Sequence, residues 1–394
     1  MYITFDRYYD FSIKSETRSA RGSQHASRRH RLSPQTPLPP QKIVLSCTEN
    51  KVQLIDLICK HLIRKAQDEM LPISHKLIVT SQEPIPVELH HGILTNRDDL
   101  ETIHEEADVI IVQQMAKAAQ GGANSINVIC DDTDVFILLV HYYAELCLTC
   151  ALTMESTSSG RTLIDIAETV KKHAIIASQL LAAHALSGCD TVAQLYGVGK
   201  GTALKTLEAG RSLDKLGDIE ADMPSVIREA TAYIAKCYGS SKENDMSEVR
   251  AEVWSRKMGK AKVTSAPELK TLPPTTEAFE ENVRRAHFQT VIWKSALHSS
   301  PPSLDATKFG WMRDVATKSL TPVSLPSDID VAPREILEMI RCGCSSEKPC
   351  RSAQCRCCAA RLPCTLFCAC RGESDCNNES NCVSDHEDSE TLDL

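Results

Sequence analysis

The sequence predicts an α/β fold with a mainly parallel sheet and flanking helices, followed by a helical region and a small zinc-stabilised Cys-rich domain. Three observations carry this. Short apolar, strand-like runs alternate with helical periods over the first half of the chain, the order that builds a parallel sheet. After residue 186 the apolar periodicity becomes entirely helical. Eleven of the 18 cysteines fall between Cys342 and Cys382, in a segment too small to build an apolar core.

Each element has its own signal. Residues 2–6 read as a short apolar strand ending at Asp6. Residues 14–42 are basic, then rich in Ser and Pro, and read as a loop. Residues 51–67 are helical, with Leu54, Leu57, Ile58 and Leu62 along one face. Residues 76–80 and 88–94 read as strands. Residues 105–120 form a helix, with Val109, Val112, Ala116 and Ala119 at helical spacing and Gly121-Gly122 as its stop. Residues 125–130 are a buried strand, residues 135–143 open the next helix, and 164–185 are mostly helical. Helices follow at 225–238, 247–258 and 276–297, and residues 298–335 have the Ser, Pro and Asp content of a linker.

Composition narrows the function. The 394 residues suffice for two or three domains, and 42% apolar content allows a real core. A net charge of −8 argues against a generally basic nucleic-acid binder. The charge is uneven, however. Residues 14–31 carry Lys14, Arg18, Arg21, Arg28, Arg29 and Arg31 against Glu16 alone, whereas residues 379–394 carry six acids and no Lys or Arg, the pattern of a solvated, disordered tail. The absence of any run of 18 apolar residues predicts no transmembrane helix and no membrane partner. The first six residues lack the basic and apolar regions of a signal peptide, so the dense cysteines point to metal binding over disulfides.

The chemistry lies in three acidic clusters at predicted element ends: Glu106-Ala107-Asp108, Asp131-Asp132-Thr133-Asp134 and Ser187-Gly188-Cys189-Asp190. Crowded carboxylates raise one another's pKa, and a divalent cation relieves the cost. Hard oxygen ligands suit Mg²⁺ or Mn²⁺. The last cluster runs into Gly197-Val198-Gly199-Lys200-Gly201, whose backbone N–H groups suit phosphate. In a parallel sheet, ligands bind at the carboxyl ends of strands, where Asp6 and Asp131-Asp132 fall. Metal-assisted phosphoryl transfer needs acids from several elements to converge at one edge. Asp6, Glu106, Asp108, Asp132, Asp134 and Asp190 are the candidates.

In order and spacing these residues resemble the PIN-like domain of the flap endonuclease family of structure-specific 5′ nucleases. Ile3-Thr4-Phe5-Asp6-Arg7 and its Arg-rich sequel resemble that family's Val-Phe-Asp-Gly strand and basic segment. Glu106-Ala107-Asp108 resembles its Glu-Ala-Glu, and Asp132-Thr133-Asp134 its Asp-x-Asp. Gly188-Cys189-Asp190 with Gly197-Val198-Gly199-Lys200 resembles its Gly-Ser-Asp and the helix–hairpin–helix element that grips the DNA backbone. The resemblance covers roughly residues 1–235. It implies phosphodiester hydrolysis by metal-activated water, with Gly197, Gly199 and Lys200 on the backbone and Arg28, Arg29 and Arg31 among the phosphate contacts of a gateway over the site. It also implies a departure: the family's first strand, which bears another metal-binding Asp, has no counterpart here, and Asp108 is a methylene shorter than its counterpart.

The cysteine block reads Cys342-x-Cys344-x₅-Cys350-x₄-Cys355-x-Cys357-Cys358-x₅-Cys364-x₃-Cys368-x-Cys370-x₅-Cys376. Tetrahedral Zn²⁺–thiolate sites supply folding free energy to such segments directly. The pattern resembles the tesmin/TSO1-like CXC module, which holds three zincs through nine cysteines and contacts DNA. That resemblance implies Cys342, Cys344, Cys350, Cys355, Cys357, Cys364, Cys368, Cys370 and Cys376 as ligands sharing thiolates, with Cys358 and Cys382 left over. Where that module carries Lys-Lys and Tyr for DNA, this chain has Ser345-Ser346 and Gln354, so the expectation is zinc binding with weak sequence-specific DNA contact.

The expected division is a PIN-like domain over 1–235, a helical extension over 236–297, a linker over 298–338, a CXC zinc domain over 339–378 and an acidic tail over 379–394. The combination resembles a group of animal proteins associated with mobile elements. It implies a nuclear protein that binds nucleic acid, DNA foremost, and cuts it with Mg²⁺ or Mn²⁺. The alternative reading is a catalytically inactive DNA-binding or scaffold protein of mobile-element origin.

Overall fold

The computed structural model describes residues 1–9, 12–14, 28–68, 72, 74–158, 160, 163–260, 269–315, 318–324, 341–345, 349–351, 354–359, 364, 368–372 and 376–378. Arg18, Arg21, Cys382, the acidic tail and residues 316–317 and 325–338 of the expected linker lie outside them. The chain forms two compact units: residues 1–233 with 280–323, and residues 234–279 with 324–394.

The first unit opens with β1 (Tyr2–Thr4), α1 (Gln41–Leu45), α2 (Thr48–Asp68) and the strands β2 (Lys76–Thr80), β3 (Val87–His90) and β4 (Ile93–Asn96). The four strands make one sheet in the order β1-β2-β3-β4. Helix α2 packs on that sheet through Ile55, Cys59 and Ala66 against Leu77, Val79 and Leu89. The expected single strand over 88–94 is instead a hairpin. His91 and Gly92 both adopt positive φ, at 51° and 74°, which is the twist a two-residue turn between antiparallel strands requires.

Next come α3 (Ala107–Gln120), β5 (Ser125–Ile129), α4 (Thr133–Glu145), β6 (Ala151–Glu155) and β7 (Ile164–Asp165). The last three strands form a second sheet, β5-β6-β7. Helix α3 packs against β1, β5 and α4. It buries Val109, Ile110, Val112, Met115 and Ala116, a wider surface than one helical stripe, because it has partners on more than one side.

The architecture is α/β, but the expected mainly parallel sheet is replaced by mixed pairing. β1 with β2 and β5 with β6 are parallel. β2 with β3, β3 with β4 and β6 with β7 are antiparallel. The tight hairpin and the short β7 return the chain directly, where a parallel partner needs a long crossover.

The unit continues with α5 (Ile166–Lys172), α6 (Leu180–Leu186), α7 (Lys200–Glu208) and α8 (Met223–Cys237) as far as Tyr233. It also takes in Glu280 onward of the helix spanning Thr276–Lys294, and the hairpin β8 (Trp311–Arg313) and β9 (Leu320–Pro322). The domain predicted to stop at 235 is therefore completed by later residues. The stretch expected as a linker holds Trp311 and Leu320 in a small apolar cluster with Phe288 and Ala306.

The second unit contains α9 (Met246–Lys260), which precedes α10 (Thr276–Lys294) in the chain, and the Cys-rich segment with its short helix α11 (Arg356–Ala359). No helix among the described residues is long and apolar enough to cross a membrane.

Candidate metal centre

Three local structures bring the acids together. The first is the start of α3. The residue at its N-cap, Glu106, makes no side-chain cap. The Asp6 carboxylate, arriving from the end of β1, accepts the Ala107 N–H at 2.8 Å instead. Asp6 thus anchors the helix start, and the Glu106 side chain turns inward and is buried. The neighbouring Arg7 is fully buried. Its guanidinium donates to the carbonyls of Ser81, Glu83, Pro84, Thr102 and His104, tying the strand end to the segment that leads into Glu106.

The second structure is the start of α4, just after β5. Asp132 is its N-cap and accepts the Asp134 N–H at 2.8 Å, a favourable arrangement at a helix N-terminus. Asp134 sits in the first turn, where His184 Nε2 lies 2.6 Å from its Oδ1. Asp131 faces elsewhere, accepting hydrogen bonds from Ser156, Thr157 and the Thr157 amide.

The third structure is the loop after α6. Gly188 adopts a φ of +113°, and a Cβ there would lie 2.8 Å from the Gln194 Cα. Only glycine fits this close approach. Cys189 and Val192 then exchange backbone hydrogen bonds, which presents Asp190 beside the first two groups.

One carboxylate oxygen from each of Asp108, Asp132 and Asp134 lies within 4.8 Å of the other two. Lys14 Nζ lies 3.4 Å from Glu106 Oε2 and 3.7 Å from Asp190 Oδ2. Acids separated by more than 80 residues of chain thus meet at one place.

The electrostatics show a cluster short of positive charge. Burial, with repulsion from Asp134 and Glu105, raises the Glu106 pKa against the pull of Lys14. Burial and repulsion from Glu106, Asp132 and Asp6 hold Asp108 well above the usual carboxylate range. Asp132 is raised by burial and by Asp134 and Asp190, although the Asp134 amide opposes this. At Asp134 burial also disfavours ionisation, but the His184 hydrogen bond and charge outweigh it and the pKa falls. Burial opposes the Lys14 charge, yet Glu106, Asp108, Asp190 and Asp6 together raise its pKa. Glu106 Oε2 is buried and makes no hydrogen bond. Hard oxygens at this spacing fit Mg²⁺ or Mn²⁺, with the buried Glu106 carboxylate beside them balanced by the Lys14 ammonium alone among the described residues.

The candidate nucleic-acid contacts are more dispersed. Lys200 Nζ turns inward and donates to the carbonyls of His184, at 2.6 Å, and Gly188, tying the Asp190 loop to the start of α7. Gly197 has a φ of +77°, and Gly199 is the N-cap of α7. A Cβ at either would meet nothing within 4 Å, so their backbone is approachable. Arg28, Arg29 and Arg31 are exposed on a strap fastened to α2 by Asn50 and Gln53.

The cysteine block forms a second centre by itself. Four quartets of close Sγ atoms occur: Cys342, Cys355, Cys357 and Cys364; Cys342, Cys364, Cys368 and Cys370; Cys342, Cys344, Cys350 and Cys355; and Cys350, Cys364, Cys370 and Cys376. All nine expected ligands take part. Cys342 and Cys364 each recur in three of the quartets, so the quartets overlap as alternative groupings within one cluster. The pairs Cys342–Cys350 at 3.6 Å, Cys350–Cys370 at 3.5 Å and Cys357–Cys368 at 3.5 Å are far too long for disulfides. They approach the edge of a tetrahedron with Zn–S bonds of about 2.3 Å.

Cys358 stands apart. Its Sγ donates to the Cys350 carbonyl at 3.1 Å, and burial beside Cys355 pushes its pKa up to about 12, so it stays a thiol. The buried Asn378 donates to Cys364 Sγ at 3.2 Å. The cluster can hold zinc.

Sequence reasoning missed three supporting residues. Lys14 was read as part of a phosphate-facing segment, and Arg7 only as the residue after Asp6. His184 carried no signal beyond lying within one helical turn of Ser187. Comparison with protein-family models, with curated proteins and with solved structures returns no match.

Proposed function

We propose that this chain is a nucleic-acid-binding protein whose first unit is a divalent-metal-dependent nuclease-like domain and whose Cys-rich segment is a zinc module. The observation that carries this reading is the meeting of Asp108, Asp132 and Asp134 within 4.8 Å. A divalent ion held there would supply Lewis acidity to a phosphate and to water. The chain's own part is positioning. Asp6 and Arg7 set the start of α3 and so Asp108. The cap at Asp132 sets the start of α4, and His184 fixes the orientation of Asp134. The open backbone at Gly197 and Gly199 suits a phosphate, with Lys200 bracing the turn from below. Asp134 is buried, Asp108 half-buried and Asp132 exposed, so the cluster has an inner wall, where charges act more strongly, and a side open to an incoming ion or phosphate.

The test uses the zinc-loaded full chain with Mn²⁺ and with 5′-flap, single-stranded DNA and RNA substrates, beside a variant carrying Asp132→Ala and Asp134→Ala. The expected result is cleavage by the native chain and none by the variant. Equal cleavage by both would remove the proposed site. One observation favours a second reading, an inactive DNA-binding or scaffold protein: Lys14 already compensates part of the cluster. Nucleic-acid binding without cleavage, unchanged in the double variant, would select it.

A further inference from the structure

We propose that Lys14 is the resident cation of the Glu106–Asp190 half of the cluster, so that the site takes up one divalent ion, at Asp108, Asp132 and Asp134, and not two. This rests on the divalent-metal reading above. Lys14 acts on Asp108 and Asp6 at longer range, but the ion pairs it makes are with Glu106 and Asp190. Asp108, Asp132 and Asp134 each turn one oxygen toward the other two, within 4.8 Å. Glu106 and Asp190 come from the start of α3 and the loop after α6, and both lie against the Lys14 ammonium.

The Lys14 side chain is only 12% exposed, so it is built into the site and is not a surface ion pair. Glu106 Oε2 makes no hydrogen bond in its buried setting, which leaves the ammonium to balance its charge. A buried carboxylate without a counter-charge is strongly disfavoured. An ion of the Mg²⁺ class bridging Glu106 and Asp190 would need bonds of about 2.0–2.1 Å to both. It would then occupy the place of the Lys14 Nζ and repel it. Lysine and a second ion are therefore alternatives at this position. The tethered ammonium has the advantage that it does not dissociate.

The experiment is Mn²⁺ titration of the full chain, its Cys module preloaded with zinc, read by electron paramagnetic resonance. The native chain should bind one Mn²⁺. Lys14→Met should bind two and show the spectrum of a coupled pair, whereas Lys14→Arg, which keeps the charge, should bind one. Two ions on the native chain, or one on Lys14→Met, would overturn the proposal and leave the metal reading intact. No ion on the native chain would overturn both. Amine acylation, mapped by mass spectrometry, tests the pairing without metal. Lys14 should be labelled at least tenfold more slowly in the native chain than in a variant carrying Glu106→Gln and Asp190→Asn. Equal labelling would also overturn the proposal.

Discussion

Replacing Arg7 with methionine should loosen the wall of the metal centre without touching a carboxylate. The guanidinium is fully buried and donates to five backbone carbonyls. Methionine fills similar space but donates nothing. Pro84 O retains the Thr102 N–H at 3.1 Å, so four acceptors lose this donor. At about 1 kcal/mol for each buried acceptor so deprived, the loss is about 4 kcal/mol. For a unit of this size that corresponds to a drop of roughly 10 °C in Tm. Because two of the four, Thr102 and His104, immediately precede Glu106, the loss should concentrate there. Circular dichroism melts should show the shift, and hydrogen exchange should quicken across residues 102–110 before the rest of the unit. Arg7→Lys keeps the charge but lacks the planar fork, and should fall between the two. A methionine variant melting within about 1 °C of the native chain, with unchanged exchange at 102–110, would refute the reasoning.

Further expectations follow from the same contacts. Gly188→Ala should cost about 1–3 kcal/mol, because the left-handed backbone and the Gln194 main chain both oppose a Cβ. Gly199→Ala, with open space and ordinary φ, should melt close to the native chain. The buried histidines should each weaken the first unit as pH falls from about 6.5 to about 4, against the opposite contribution of the raised Glu106, Asp108 and Asp132. Burial, reinforced by Lys294, lowers His141 and His287 to about 4, so the unfolded chain binds these protons first. His287 Nδ1 also accepts the Gly217 N–H at 3.1 Å and must be unprotonated to do so; a falling protection factor for that amide on acidification, taken relative to its intrinsic exchange rate, is the readout, and a protection factor unchanged over this window would count against it. Metal analysis should find about three zincs per chain. Cys364→Ser should lower that content and Cys358→Ser should not, and strong chelation should unfold the Cys-rich segment.

Much of the candidate site was legible in the linear pattern. Aspartates that follow apolar runs, such as Asp132 and Asp134 after β5, sit at element ends because a charged helix cap favours the turn they occupy. The cysteine spacing was legible because thiolate ligation is local and needs no distant partner. The strand pairing was less so. A tight turn at His91-Gly92 reverses the chain where an unbroken run suggested one strand, and β6 alternates buried Leu152 and Met154 with more exposed neighbours but spans only five residues, too short to stand out. The stretch at 298–335 looked like a linker because one buried Trp and one buried Leu do not make a pattern.

The sequence alone therefore determined which residues could bear the chemistry: the acids by their placement at element ends, the cysteines by their spacing. Only the tertiary structure decided which of them face one another and what else faces them. It drew Asp131 away, made Asp6 a helix anchor, set His184 against Asp134 and turned Lys14 and Lys200 inward. The reason is physical. A charged side chain's role depends on the charges and dipoles within a few ångströms, and in this chain those neighbours come from residues tens to more than a hundred positions away.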